Sequence, residues 1–134
     1  MKPKVVFDTN ILISGYLWAG RPRQAIRAVK SGAFELLYCR ESIDELIRVL
    51  SMKFGLGSEE IYAIVLDLQT TGKNITITSK EQPITDDPTD NLFINLAIDG
   101  NAKVIASGNS HLLRLKEYRG IEIITVYEFL RRSL

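Results

Sequence analysis

Acidic side chains stand at three separate points of the sequence, each next to an apolar segment. Asp8 directly follows the run Val5-Val6-Phe7, whereas Glu45 and Asp90 lie near the starts of two helix-like segments. Carboxylates held together repel one another unless they are protonated or neutralised by a cation. Oxygen ligands without clustered His or Cys favour Mg²⁺ or Mn²⁺. Such a cation can orient and activate water beside a phosphoryl group, so the indicated chemistry is phosphodiester cleavage.

Each acid also has a structural alternative. Asp8 precedes a predicted helix and could serve only as its N-cap. Glu45 could be a solvated helix residue, the usual situation of a glutamate. Asp90 could be a first-turn acid stabilised by the helix dipole. Asp87 stands before Pro88 and is expected to organise its loop rather than to bind an ion directly.

The elements that would position these residues alternate between strand and helix. Short apolar runs predict buried strands, and apolar residues at i, i+3, i+4 and i+7 predict helices. The predicted strands cover residues 5–7, 34–38, 74–78, 104–106 and 121–125. The predicted helices cover residues 11–17, 22–31, 42–53, 58–68, 90–99, 110–116 and 127–132.

This alternation predicts an α/β fold, a three-layer α/β/α sandwich with a mainly parallel sheet of about five strands. Ligands of such sheets bind beyond the carboxyl ends of the strands, where the strand order reverses. If the first and fourth strands are neighbours, Asp8 and Asn109 face each other there. The segment that holds Asp90 returns to the same end, and Glu45 can lean over it from its helix.

Size and composition indicate one ordinary globular domain over residues 1–134. The chain has 134 residues, and 17 Lys and Arg against 16 Asp and Glu give a net charge of +1. This balance excludes a strongly basic nucleic-acid binder, but not an enzyme with a local basic patch. Arg21, Arg23, Arg27 and Lys30 form such a candidate patch for RNA phosphates. A solvated helix face is the commoner outcome for such a row of cations.

The number of cysteines and the lengths of the apolar runs indicate the cellular compartment. One cysteine, Cys39, excludes an internal disulfide, and a single His with a single Cys excludes a Cys/His zinc site. The longest apolar runs fall far short of the roughly 18 residues that span a bilayer. Asp8 and Asn10 interrupt the first apolar stretch, which argues against a signal peptide. We therefore expect a cytoplasmic protein with no membrane partner.

Four segments in order resemble the PIN-domain family of metal-dependent ribonucleases, which includes VapC-type toxins of toxin–antitoxin pairs. The four segments are 5–14 (VVFDTNILIS), 45–50 (ELIRVL), 87–97 (DPTDNLFINLA) and 104–113 (VIASGNSHLL). Any one of them is a weak signal, whereas four in order at matching spacing are a specific one. The resemblance spans nearly the whole chain.

The resemblance implies a set of roles for these residues. Asp8, Glu45 and Asp90 correspond to the catalytic acids that bind Mg²⁺ or Mn²⁺, as one or two ions, while Thr9 and Asn10 correspond to polar residues that brace the site. Asp87 and Ser107 lie in the same motifs as supporting residues. It also implies an RNA substrate, a cognate antitoxin and a homodimer.

One departure from the family pattern concerns the last motif. Where the family commonly has Ser-Gly-Asp and a second Asp two residues later, this chain has Asn109 and His111. Asn109 can still offer a carbonyl oxygen as a further metal ligand, and neutral His binds Mn²⁺ better than Mg²⁺. His111 is expected to be a cap-region or rim residue rather than a ligand. Each change removes a negative charge, so we expect weaker metal binding and lower activity.

Three function classes follow from these residues. The first is a metal-dependent endoribonuclease, and the second is a PIN scaffold that binds RNA or an antitoxin without efficient cleavage. The third is a phosphatase or phosphoacceptor protein with Asp8 as the nucleophile. Asn10 and Leu12 stand where a haloacid-dehalogenase-like motif requires Asp and Thr or Val, so the third class ranks last.

Overall fold

Strands and helices alternate along the chain as the sequence pattern predicts. The computed structural model describes residues 2–133. Its strands are β1 (Lys4–Phe7), β2 (Glu35–Tyr38), β3 (Lys73–Asn74), β4 (Val104–Ala106), β5 (Glu117–Tyr118) and β6 (Ile121–Ile124). Its helices are α1 (Thr9–Leu17), α2 (Arg21–Lys30), α3 (Arg40–Met52), α4 (Ser58–Thr71), α5 (Asn91–Gly100), α6 (Ser110–Leu115) and α7 (Val126–Arg132).

The strands form one mainly parallel sheet in the order β3-β2-β1-β4-β6-β5. β1 pairs in parallel with β2 on one side and with β4 on the other. The strand order therefore reverses between β1 and β4, which confirms the expected adjacency of the first and fourth strands. The residues that follow these two strands share one edge of the sheet.

Apolar side chains alternate between the two faces of the sheet and build a core on each face. Val5 and Phe7 of β1 point into a core formed mainly with α1, α2, α3 and α7, whereas Val6 points into a core formed mainly with α5 and α6. Both faces are therefore covered by helices, and the predicted α/β/α sandwich is confirmed.

The third strand is much shorter than the predicted 74–78. β3 pairs with β2 only at Lys73 and Asn74, because β2 ends at Tyr38. Beyond this point the backbone N–H groups of Thr78 and Ser79 donate to the Asp99 carboxylate at 2.7 and 3.0 Å. This contact with α5 replaces the pairing of a longer strand.

A sixth strand, β5, pairs antiparallel with β6 at the sheet edge. The turn between them contains Arg119 and Gly120, which have φ angles of 51° and 81°. Positive φ at both central residues is typical of the tight turn that joins two adjacent antiparallel strands. The short Glu117–Tyr118 pairing was missed because it carries no alternating apolar pattern.

Helix starts differ from the predictions by one or two residues where the chain supplies a cap. α1 begins at Thr9 rather than Ile11, and α3 begins at Arg40 rather than Ser42. Asp90 ends a short 3-10 turn, Pro88–Asp90, that leads into α5. Within residues 2–133, none of the helices is long and apolar enough to cross a membrane.

Candidate metal centre

Asp8 is held rigidly at the carboxyl end of β1. Its Oδ1 accepts from the Ile11 backbone N–H at 2.9 Å and caps α1, while its Oδ2 accepts from the Ser107 hydroxyl and the Gly108 N–H. The residue is 2% exposed. Burial raises the pKa of the Asp8 carboxyl, and the hydrogen bonds from Ser107 and the backbone oppose that rise. Asp8 is thus a helix cap and also a buried acid at the switch point of the sheet.

Glu45 is positioned by a residue that follows Asp8. The Thr9 hydroxyl donates to Glu45 Oε1 at 2.8 Å, and Thr9 itself is buried. This bond fixes a half-buried glutamate on α3 against the start of α1. Glu45 is therefore not a freely solvated helix residue.

Asp90 carries an oxygen with no hydrogen-bond partner. Its Oδ1 accepts from Asn109 Nδ2 at 3.3 Å, whereas its Oδ2 is buried and accepts no hydrogen bond from the described residues. The Asp90 side chain forms no cap bond to α5. Burial raises the pKa of the Asp90 carboxyl, the Asp87 carboxylate adds to that rise, and His111 opposes it. A buried acceptor without a partner is unfavourable by about 1–3 kcal/mol, and a cation would relieve it.

Asn109 turns a donor, rather than an acceptor, toward Asp90. Its Oδ1 accepts from the backbone N–H groups of His111 and Leu112 at 2.7 and 3.4 Å and caps α6. Its Nδ2 then faces Asp90. The opposite amide orientation would set the NH₂ group against two N–H donors, so this assignment is physically favoured. The oxygen that the sequence offered to a metal is thus engaged in the helix cap.

Ser107 joins the two strand ends. It is 1% exposed, donates to Asp8 and accepts from the Asn109 backbone N–H at 2.9 Å. Ser107, which was expected to support the site, thus bonds directly to one of the three acids.

The three acids line one shallow pocket of about 150 Å³, which we call the acid pocket. Its lining residues are Asp8, Thr9, Asn10, Glu45, Val49, Lys53, Asp90, Phe93 and Asn109. Lys53 and Val49 were not singled out in the sequence. Val49 lies four residues after Glu45 and Lys53 lies eight residues after it. This helical spacing places all three on one side of the helix and was the signal that could have found them.

Asp90 also belongs to a second group of side chains that could bind a metal ion. Within residues 2–133, Asp87, Asp90 and His111 are the only group of three acidic or His side chains whose ligand atoms all lie within 4.8 Å of one another. We call this group the His cluster. His111 Nδ1 lies 3.5 Å from Asp90 Oδ2. Asp8 and Glu45 do not belong to the His cluster, although they line the acid pocket together with Asp90.

Two buried asparagines of α5 hold the segment that carries Asp87. Asn91 accepts from the Ile84 N–H and donates to the Ile84 and Pro88 carbonyls, at 2.9, 2.9 and 3.0 Å. Asn95 makes the equivalent pair of bonds to the backbone of Glu81, at 2.8 and 3.0 Å. The loop is thereby bonded to the helix that follows Asp90.

The replacement Asn91→Ala is expected to lower the free energy of unfolding by about 3 kcal/mol. It leaves the buried backbone groups of Ile84 without partners and releases the loop that ends at Asp87. Denaturant titration measures the change. Asn10→Ala, at an exposed helix position, is the matched control and should change stability by less than about 0.5 kcal/mol. Equal stability of the two variants would contradict this role of Asn91.

The basic residues of α2 are largely engaged within the protein. The Arg21 guanidinium lies 4.7 Å from the centre of the Tyr127 ring. Arg23 donates to the carbonyls of Gly15 and Tyr16, at 3.3 and 3.5 Å. Lys30 Nζ lies 2.8 Å from Asp67 Oδ1, and Arg27 is exposed. None of the four lines the acid pocket, so the structure does not bring the candidate RNA patch to the acids.

The residues at the strand ends fit a divalent cation. A free buried oxygen of Asp90, the nearby Asp87 carboxylate and the imidazole of His111 supply a donor set of two oxygens and one nitrogen. Asp8 and Glu45 add carboxylates in the acid pocket, which Asp90 also lines. Two carboxyl groups have raised pKa values because burial disfavours their charged form, and a bound cation would reverse this effect.

Comparison with protein families gives a match over most of the chain. The family model described as PIN domain matches residues 4–111, which is most of the chain and includes Asp8, Glu45, Asp90 and Asn109. No curated protein matches the chain.

Proposed function

The chain belongs to the PIN-domain family, and from that premise we propose that it is a metal-dependent endoribonuclease that hydrolyses RNA phosphodiester bonds. PIN domains are generally metal-dependent nucleases. The observation that carries the proposal is the buried, unpartnered Oδ2 of Asp90 in a pocket shared with Asp8 and Glu45. These are the acids that the sequence alone selects.

The chain's own residues would hold and orient the reacting groups. Asp8 is fixed by Ser107 and by the first turn of α1, and Glu45 is fixed by Thr9. Because these carboxylates are held before any ligand arrives, little reorganisation is needed when the ion and the phosphate bind. A bound Mg²⁺ or Mn²⁺ would orient a water molecule and stabilise negative charge on the phosphoryl group.

Lys53 supplies a positive charge at the rim of the acid pocket. It is an exposed residue on the Glu45 side of the pocket, and its Nζ lies 5.8 Å from the centre of the Phe54 ring. An ammonium group there can contact an RNA phosphate and offset repulsion between that phosphate and the acids. We assign Lys53 the role of a substrate-phosphate contact.

Lys53→Met is expected to lower kcat/KM for RNA cleavage about 10-fold, equivalent to about 1.4 kcal/mol of transition-state binding. Lys53→Arg should retain most of the activity because it keeps the charge. Lys103→Met, which removes an exposed cation from the segment before β4, is the matched control. Initial rates on a labelled RNA measure all three variants. A Lys53→Met enzyme as active as Lys103→Met would exclude this contact.

A biological role, a protein partner and an oligomeric state can also be proposed for the chain. By its resemblance to VapC-type proteins, we infer that the chain is a cytoplasmic toxin, held inactive by a cognate antitoxin and assembled as a homodimer. Growth arrest on expression in a bacterial host, absent for a variant without cleavage activity, tests the toxin role. Light scattering of the purified chain tests the homodimer.

Cleavage of a panel of labelled single-stranded and structured RNAs tests the nuclease activity itself. We expect cleavage in Mg²⁺ or Mn²⁺ that a chelator abolishes and added ion restores. Cleavage that persists in chelator would show a contaminant or another mechanism.

One observation favours the alternative of a PIN scaffold that binds RNA or an antitoxin without efficient cleavage. The amide donor of Asn109 occupies part of the coordination space beside Asp90 and adds no negative charge. A folded preparation that binds RNA but cleaves none of the panel, even at high Mn²⁺, would favour this alternative over the nuclease.

A further inference from the structure

The His cluster brings a nitrogen ligand to the ion site. Asp87 ends the loop, Asp90 ends the 3-10 turn before α5, and His111 lies in the first turn of α6. We propose that Asp87, Asp90 and His111 together bind one divalent ion, and that His111 makes this site prefer Mn²⁺ over Mg²⁺. The inference rests on the proposed function, since it names the ion and ligands at the same acids.

Asp90 is buried and has a carboxylate oxygen without a partner among the described residues. Its side chain is only 10% exposed, and its Oδ2 accepts no hydrogen bond from the described residues. His111 Nδ1 is 3.5 Å away, too far for a good hydrogen bond. A separation of this size is what two ligands on one ion would show, because each would lie about 2 Å from the ion. The free oxygen and the imidazole nitrogen are therefore close enough to share one ion.

Asp87 is held in place by Thr89. Its Oδ1 accepts from the Thr89 hydroxyl at 2.6 Å and from the Thr89 backbone N–H at 3.3 Å. Both bonds engage the same oxygen, so the carboxylate is oriented while its other oxygen can reach an ion.

The chemistry of its donor atoms determines which ion the His cluster prefers. Mg²⁺ binds oxygen ligands in near-ideal octahedral geometry, whereas imidazole suits later first-row ions. Two carboxylates with one imidazole form a mixed set that Mn²⁺ accepts more readily than Mg²⁺. Because Asn109 directs its amide N–H toward Asp90 Oδ1, Oδ2 and His111 are the atoms that would hold the ion.

Electron paramagnetic resonance of Mn²⁺ tests this directly on the full chain. Titration of the ion-free protein counts bound Mn²⁺, and pulsed measurements detect hyperfine coupling from a coordinated imidazole nitrogen. We expect bound Mn²⁺ with nitrogen coupling and an affinity about 10-fold above that of Mg²⁺ in competition.

His111→Gln should remove the nitrogen coupling, weaken Mn²⁺ about 10-fold and leave the Mg²⁺ affinity within about 2-fold. Asp87→Asn should also weaken Mn²⁺, since it keeps the Thr89 bonds through its Oδ1 but removes the charge. Arg114→Gln, an exposed residue of the same helix, is the matched control with wild-type binding. Circular dichroism shows whether each variant is folded.

The outcomes separate this inference from the proposed function. Bound Mn²⁺ without nitrogen coupling, with affinity unchanged in His111→Gln, would overturn the role of His111 and leave the nuclease proposal standing. A folded wild-type chain that binds neither Mn²⁺ nor Mg²⁺ would overturn both.

Discussion

Asp8→Asn is expected to reduce metal-dependent RNA cleavage by roughly 10³-fold or more. The substitution removes one negative charge from a buried position at the junction of β1 and β4. Asn retains an oxygen that can cap α1, so the fold should remain close to that of the wild type. Initial cleavage rates at saturating Mn²⁺ measure the loss.

Ser107→Ala is the control that separates the charge of Asp8 from its positioning. This variant keeps the carboxylate but removes the hydroxyl that donates to it. We expect a smaller loss, on the order of 10-fold. If Asp8→Asn cleaves RNA at a rate close to that of the wild type, Asp8 is only a helix cap and the nuclease proposal loses one of its three acids.

Asp90→Asn is expected to stabilise the ion-free protein by about 1 kcal/mol while it abolishes ion binding. The change removes the unpartnered buried oxygen and the repulsion from Asp87. The new amide can still accept from Asn109 and can donate toward Asp87 or His111. Most substitutions of buried residues destabilise, so a gain in stability would be specific to an acid held for a ligand.

Thermal unfolding with and without ion measures both effects of Asp90→Asn. Mn²⁺ should raise the Tm of the wild type, because it binds the folded state, and should leave the Tm of the variant unchanged. Asn109→Asp is the opposing control: its added charge should lower the Tm without ion and increase the shift with Mn²⁺. An Asp90→Asn protein that is less stable than the wild type without ion would contradict this account.

The pH dependence of the same measurement has a defined sign. The Asp8 and Asp90 carboxyls have folded-state pKa values above their ordinary value of 3.8, so the folded state holds these protons more tightly. Their contribution to stability is present below pH 3.8 and is lost as the pH rises through the raised values. Asp90→Asn removes the part of that loss that comes from Asp90. The difference in the free energy of unfolding between this variant and the wild type should therefore increase as the pH rises above 3.8.

The sequence predicts the fold, and the meeting of Asp8, Glu45 and Asp90 at one pocket, because both depend on local patterns. Continuous apolar runs locate β1 and β4, and an apolar pattern of period 3.6 locates α3. Asp8 directly follows β1, so it lies at the edge of the sheet where the strand order reverses. Thr9 was expected to brace the site, and its hydroxyl does bond Glu45. These features follow from positions near each acid in the sequence.

Features that depend on contacts between distant segments were missed or misjudged. The predicted third strand ends early because Asp99 captures the backbone N–H groups of Thr78 and Ser79. The Asn109 amide was expected to offer its oxygen, but two N–H groups of α6 take that oxygen. The sequence pattern showed neither interaction.

Local charge density did not point to the cation that lies at the acid pocket. The row on α2 looked like a phosphate-binding face, yet Arg23 donates to backbone carbonyls and Lys30 pairs with Asp67. Lys53 drew no attention as an isolated cation, although its helical spacing from Glu45 brings it to the acid pocket. Helical spacing from Glu45 indicated which cation lines the acid pocket, whereas local charge density did not.

Anomalous diffraction from crystals soaked in Mn²⁺ is the most direct test of the claim that Asp90 holds an ion. The account predicts a manganese peak within about 2.3 Å of Asp90 Oδ2, on the side facing Asp87 and His111. A second peak toward Asp8 and Glu45 would be compatible with two ions. An ordered Asp90 with no manganese near its Oδ2 at saturating Mn²⁺ would contradict the account.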